Sequence, residues 1–186
     1  MLRAVGGVSA VSAVYFLGLL ASCAQSSQPP RLRLQLAPAT FGASLSLQQH
    51  LIVQREGRID EVEAALEIDA DRIHLVVLAM NQRVLSLRYD GRSLESWRHP
   101  ALPLEVRDEN VLQDMQLALW PLESLRQGLP AGWRIEENGL RRTLLAGELP
   151  VTEIYYSGSP PWSGTITLVN LQYGYRLTIE SVRTDQ

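Results

Sequence analysis

The sequence predicts a mostly β fold of the α+β kind. It should form one curved antiparallel sheet, or incomplete barrel, of about nine to eleven strands, with a short helical insertion on the concave face. Three observations carry that expectation. From Leu45 onward, apolar residues recur with a period of two, the spacing of half-buried strands. Turn signals rich in Gly, Asn and Asp punctuate the pattern at short intervals, so successive strands fold back on one another. Only the stretch 108–129 changes to the 3.6-residue period of a helix.

Taken in order, Arg31-Leu32-Arg33-Leu34-Gln35-Leu36 alternates and reads as a first edge strand, broken by Pro38 and Gly42. Leu45, Leu47, Leu51 and Val53 share one face of the next strand. After a turn at Glu56-Gly57, Val62, Ala64, Leu66 and Ile68 face inward while Glu61, Glu63 and Glu67 face water. Asp69-Ala70-Asp71-Arg72 reads as a turn rather than a working carboxylate pair. In Ile73 to Met80, the residues Ile73, Leu75 and Val77 alternate with Val76, Leu78 and Met80. That pattern predicts a central strand covered on both faces, with His74 as a structural histidine. A turn at Asn81-Gln82 leads to Leu85, Leu87 and Tyr89. Asp90-Gly91 then suits a two-residue hairpin, and Leu94 to Trp97 returns.

In the helical stretch, Asp108 or Asn110 can cap, and Val111, Leu112, Met115, Ala118 and Leu119 fall on one stripe. Pro121 fits the first position of a second short helix. Leu122, Leu125 and Leu129 extend the apolar face until Gly128 and Pro130 stop it. The remainder is hairpins. Trp133 and Ile135 lead to Asn138-Gly139, then Leu140, Arg142 and Leu144 return. Gly147 turns the chain into Val151 to Tyr156, and a loop at 157–162 follows. Ile166 and Leu168, then Tyr175, Leu177 and Ile179, complete the alternation.

Ahead of this domain, Arg3 supplies a positive start, Val5 to Leu20 an apolar run, and Ala21-Ser22 a small-residue cleavage site. With Cys23 next, the run Leu20-Ala21-Ser22-Cys23 resembles the lipobox of bacterial lipoproteins, which implies cleavage before Cys23 and acylation of its thiol. An uncleaved membrane anchor is the alternative, although Gly6, Gly7, Ser9 and Ser12 make the run weakly apolar. Cys23 is the only cysteine, so no disulfide competes for it. The expected organisation is a signal peptide over 1–22, an acylated tether over 23–30, and one domain over 31–186. Ala24 stands where an aspartate would hold many lipoproteins in the inner membrane. The expected location is therefore the periplasmic face of the outer membrane, with the membrane as partner through the lipid on Cys23.

Composition excludes nucleic acid as a partner: the formal net charge is −3 and no basic stripe appears. All seventeen basic residues are arginine. His50, His74 and His99 are scattered, without the spacing of a zinc site. Neither a Gly-x-Ser-x-Gly elbow nor a glycine-rich phosphate loop is present, and the sole thiol is committed to lipid. The expectation is no catalytic residue, no metal and no cofactor, though a fold can bring distant residues together.

Several runs together carry a resemblance: Leu45-Ser46-Leu47-Gln48-Gln49, Met80 through Gly91, Leu117-Ala118-Leu119-Trp120-Pro121-Leu122, Leu129-Pro130-Ala131-Gly132-Trp133, Pro161-Trp162-Ser163-Gly164, and Asn170 through Leu177. They resemble a family of bacterial outer-membrane lipoproteins of unknown function found in aryl-polyene gene clusters. The order of strands around a helical insertion is also similar to the lipoprotein-localisation factors LolA and LolB, incomplete barrels whose helices plug the concave side and which bind acyl chains inside. LolB carries a protruding apolar loop between its third and fourth strands. The corresponding stretch here, Met80-Asn81-Gln82-Arg83, reads as a tight polar turn.

These resemblances imply a carrier or acceptor of a hydrophobic ligand, acyl or aryl-polyene in type, held between sheet and helices. The candidate lining residues are Leu66, Ile68, Leu75, Val77, Leu87, Met115, Leu119 and Trp120, each of which also fits an ordinary core. A docking or scaffold lipoprotein without a cavity is the second reading. An enzyme of lipid or polyene attachment is the third.

Overall fold

The computed structural model describes residues 31–184, so the signal segment, Cys23 and the tether lie outside the described residues. Within them, ten antiparallel strands form one open, curved sheet, an incomplete barrel. β1 (Leu45–Arg55), β2 (Arg58–Ile68), β3 (Ile73–Ala79), β4 (Gln82–Tyr89) and β5 (Leu94–Arg98) make one meander. β6 (Trp133–Asn138), β7 (Arg141–Ala146), β8 (Leu149–Tyr156), β9 (Thr165–Asn170) and β10 (Tyr175–Arg183) make a second. The two join where β1 pairs with β10, with Leu51 opposite Ile179. β5 and β6 are therefore the two edges, and the chain leaving β5 must cross the concave face to begin β6. Helices α1 (Asp108–Leu119) and α2 (Leu122–Gly128) make that crossing, which is why the insertion roofs the sheet.

Alternation places Ala64, Leu66 and Ile68 of β2, Leu75 and Val77 of β3, Leu85 and Leu87 of β4, and Ile166 and Leu168 of β9 in one core with α1. β3 differs from the sequence expectation on two counts. It lies third from an edge rather than at the centre. Its outer face, with His74 and Val76 half-buried and Leu78 36% exposed, faces solvent. Scattered apolar side chains on a wet face are ordinary in soluble domains, so the doubly apolar pattern overstated its burial.

The hairpins keep their places but not all of their turn types. Glu56-Gly57 and Met80-Asn81 are two-residue loops with both central residues at positive φ, the type I′ geometry that matches strand twist. At Asn138-Gly139 the pairing of Asn138 with Arg141 shifts the loop by one, to Gly139-Leu140. Gly139 alone has positive φ there, which fits type II′. The Asp90-Gly91 turn spans four residues instead of two, because Asp90 Oδ1 accepts the Arg92 and Ser93 amides at 2.8 and 2.7 Å. Asp69 does the same for Asp71 and Arg72, so that segment is a turn, as its residues suggest.

Arg31 to Leu36 is extended but joins no strand ladder. Leu32, Leu34 and Leu36 are buried while Arg31, Arg33 and Gln35 are exposed, so the period of two survives with a different partner. The segment lies against α1: Leu36 N–H donates to Gln116 Oε1 at 3.0 Å, and Gln116 Nε2 donates to the Leu36 carbonyl at 2.8 Å. Its other flank meets β4, where the Tyr89 hydroxyl donates to the Gln35 carbonyl. A side-chain amide thus satisfies backbone groups that a neighbouring strand would otherwise take.

From Leu112 to Trp120 every residue is buried, so α1 is enclosed all round instead of along one stripe. Its N-cap is Arg107, without a side-chain capping bond. Asp108 turns instead to Arg98, at 2.7 Å, and to Ser96. Trp120 ends α1, and Pro121 is the N-cap of α2.

Candidate ligand pockets

Of the eight candidate lining residues, Leu66, Ile68, Leu75, Val77, Leu87 and Met115 lie in the packed core. Leu119 and Trp120 are buried too, and they border a pocket of about 310 Å³. It opens where α1 breaks into α2, at one end of the half-barrel. The break itself comes from the sequence, since Pro121 cannot donate the hydrogen bond that would continue α1.

Aromatic rings build one wall. Phe41, from the 3-10 turn Pro38–Phe41, lies 5.0 Å from Trp120 and 5.7 Å from Trp162 between ring centroids. Trp120 Nε1 donates to Thr40 Oγ1 at 2.9 Å, which fixes the indole. Leu122 and Leu140 add apolar surface, and Leu140 is 52% exposed at the rim.

The opposite wall is polar. Arg142 is buried among inward-facing residues of β7, and its Nη1 donates to the carbonyls of Leu117 and Trp120 at 2.7 and 3.1 Å. Those are carbonyls at the end of α1, where a cation also meets the negative end of the helix dipole. Glu137, directly across the β6–β7 ladder, pairs with Arg142 at 2.7 Å. Tyr156 lies beneath the guanidinium and donates its hydroxyl to the Ala118 carbonyl at 2.9 Å. Burial pushes the Tyr156 phenol up to about 12, with Arg142 opposing the shift. The phenol therefore keeps its neutral form at ordinary pH.

A second pocket, of about 320 Å³, lies at the other end of α1, lined among others by Arg31, Arg55, Arg107, Tyr173 and Tyr175. Behind Tyr175 sits Asp114, buried on α1. Its Oδ2 accepts the Tyr175 hydroxyl, while Oδ1 has no hydrogen-bond partner. Asn170 Nδ2 donates to the same hydroxyl at 3.2 Å. Burial pushes the Asp114 carboxyl up to about 7, against the Tyr175 hydrogen bond, which lowers it. Tyr175 is raised as well, first by burial and then by Asp114.

Phe41, Leu140, Arg142 and Trp162 were not among the expected lining residues. For Arg142 the signal was present, since Leu140-Arg142-Leu144 puts an arginine in an alternating series. Trp162 was visible only as a large aromatic in a Gly/Ser/Pro loop. Among the described residues, no group of three or more His, Cys, Asp or Glu could hold a metal ion.

Fold and pockets together define a half-barrel domain with two small concavities, one at each end of its roofing helix. The chain belongs to the family described as Protein of unknown function (DUF3261), which matches residues 46–183. A search of curated proteins finds no match to the chain.

Proposed function

We propose that this protein is an outer-membrane lipoprotein, anchored through Cys23 and facing the periplasm, which holds a hydrophobic chain as carrier or acceptor. The observation that carries the proposal is the pocket of about 310 Å³ at the α1–α2 break. Its size is at the small end of the about 300–1,000 Å³ typical of small-molecule sites, and an apolar, aromatic wall faces a polar one. An acyl or aryl-polyene group suits those walls. The polyene is favoured by the resemblance to lipoproteins of aryl-polyene clusters, and the acyl chain by the likeness to LolA and LolB. Each methylene taken out of water contributes about 0.8 kcal/mol, so about eight would offset much of the cost of association. Arg142 and Glu137 offer a polar end that would orient such a ligand. The role is binding, with no chemical step assigned.

The docking reading has its own support. Leu32, Leu34 and Leu36 pack into the core with α1, and neither pocket is lined by Leu66, Ile68, Leu75, Val77, Leu87 or Met115. Those six residues belong to the packed core, which favours a surface role over a ligand enclosed among them. The alternatives separate in one titration of the full chain in neutral micelles with a fluorescent fatty acid or extracted aryl polyene. Saturable binding that weakens in Leu140→Asp and Trp162→Ala supports the carrier. Absence of saturable binding leaves the scaffold. Leu119→Arg is a poor test, because Leu119 is only 3% exposed and a charge there opposes folding itself.

A further inference from the structure

The pocket at the N-terminal end of α1 has a chemistry opposite to the first. Three guanidinium groups, those of Arg31, Arg55 and Arg107, line it against one carboxylate, that of Glu105. Three separate parts of the chain deliver them. Arg55 ends β1 directly opposite Tyr175 of β10, Arg107 is the N-cap of α1, and Arg31 enters ahead of the buried leucines. Within a chain of net charge −3, such a concentration of positive charge has to overcome mutual repulsion. Elsewhere, Arg98, Arg134, Arg141 and Arg142 hold carboxylates at 2.6 to 2.9 Å. In this pocket, among the described residues, neither Arg31 nor Arg107 makes an ion pair, and Arg55 has only a 3.8 Å approach to Glu56.

We infer that this pocket binds a phosphate group, presented by an anionic membrane lipid. Guanidinium forks match phosphate oxygens in pairs, and three of them neutralise the charge of a phosphodiester or monoester without further help. The start of α1 adds the positive end of its dipole, and Asp108 of its first turn is already occupied by Arg98. Placement favours a lipid as the source. Arg31 is eight residue steps beyond Cys23, a reach of about 27 Å at about 3.4 Å per step, so a Cys23 anchor keeps the pocket near headgroups. That placement rests on the proposed anchor. The phosphate chemistry does not, and neither depends on the pocket at the helix break.

The test uses full-length protein in neutral micelles, titrated calorimetrically with three probes: inorganic phosphate, short-chain phosphatidylglycerol and the phosphate-free diacylglycerol of the same chain length. Wild type should bind phosphatidylglycerol, and inorganic phosphate should compete. Arg31→Ala with Arg107→Ala should weaken both by about tenfold or more, about 1.4 kcal/mol. Arg107→Lys should keep part of the affinity, and added salt should weaken it. Arg126→Ala, at an exposed arginine of α2 that lines neither pocket, should leave it unchanged, which separates this site from general surface charge. Phosphate binding without phosphatidylglycerol binding would uphold the phosphate site and overturn the lipid source. Binding of neither phosphate-bearing probe, or equal binding of both by the double arginine variant, would overturn the proposal, whereas diacylglycerol, which the apolar pocket can take, should bind the wild type and the double arginine variant alike. Both arginines are exposed, so their removal leaves the core intact.

Discussion

Gln116 and Leu36, eighty residues apart, hold each other by two reciprocal hydrogen bonds, in which a buried side-chain amide donates to and accepts from one backbone residue. Gln116 is fully buried, so neither bond is weakened by exchange with water. This pairing fastens the entering segment beneath the roof.

Gln116→Ala should therefore do more than delete a side chain. It leaves the Leu36 amide and carbonyl buried and unpaired, at about 1–3 kcal/mol each. The expected loss is about 3 kcal/mol in urea unfolding, with faster amide exchange over 32–36. A loss below about 1 kcal/mol, with unchanged exchange, would show that the leucines alone hold the segment.

Arg142→Met should be among the most damaging single changes. It removes the cation that caps the end of α1 and strands Glu137, 2.7 Å away, without its partner. Glu137 itself is exposed, so most of the loss comes from the Leu117 and Trp120 carbonyls left without a donor, at about 1–3 kcal/mol each. Adding Glu137→Leu should recover little of that loss in the same denaturation experiment, because the exposed carboxylate can turn to water.

Asp114 makes stability depend on pH. Its folded-state carboxyl sits at about 7, above the ordinary value of 3.8 for the unfolded chain. Between those two values the folded state holds the extra proton, so stability falls as pH rises from about 4 and levels off above about 7. Asp114→Asn keeps an acceptor for Tyr175 and cannot ionise. Its melting temperature relative to wild type should improve from pH 5 to pH 8. A difference that stays flat across that range would contradict the raised carboxyl.

Met80 and Asn81 occupy a type I′ turn with φ of 47° and 59°, and Met80 is 97% exposed. Asn-Gly is the pair this turn favours, so Met80→Asn with Asn81→Gly should stabilise by about 1 kcal/mol. Thermal melting checks the gain. Should the same change also abolish ligand or membrane binding, the exposed methionine serves recognition.

Much of the fold was legible because a period of two has one simple meaning when turn residues bound it. β2, with its glutamates outside and Ala64, Leu66 and Ile68 inside, reads directly from sequence. The alternation of Leu32, Leu34 and Leu36 was equally legible, but its partner was not, since a segment under a helix and a strand in a ladder bury the same face. The pockets were harder to foresee. Arg31, Arg55 and Arg107 are far apart in the chain, and only strand register and the helix crossing bring them to one place. The candidate lining residues were chosen for apolarity, which marks core and cavity alike.

The seam between β1 and β10 has a kinetic consequence. Each meander grows by neighbouring hairpins, which close within microseconds, but the central ladder pairs Leu47 with Arg183 and so awaits nearly the whole domain. A chain emerging N-terminus first would present β1 with one side unpaired until the last strand arrives. Docking of β10 is then the step that commits the fold, and a short C-terminal truncation should slow refolding more than an equal deletion from β5. Until that docking, the middle of the finished sheet is an open edge, the part of the nascent protein most in need of a chaperone.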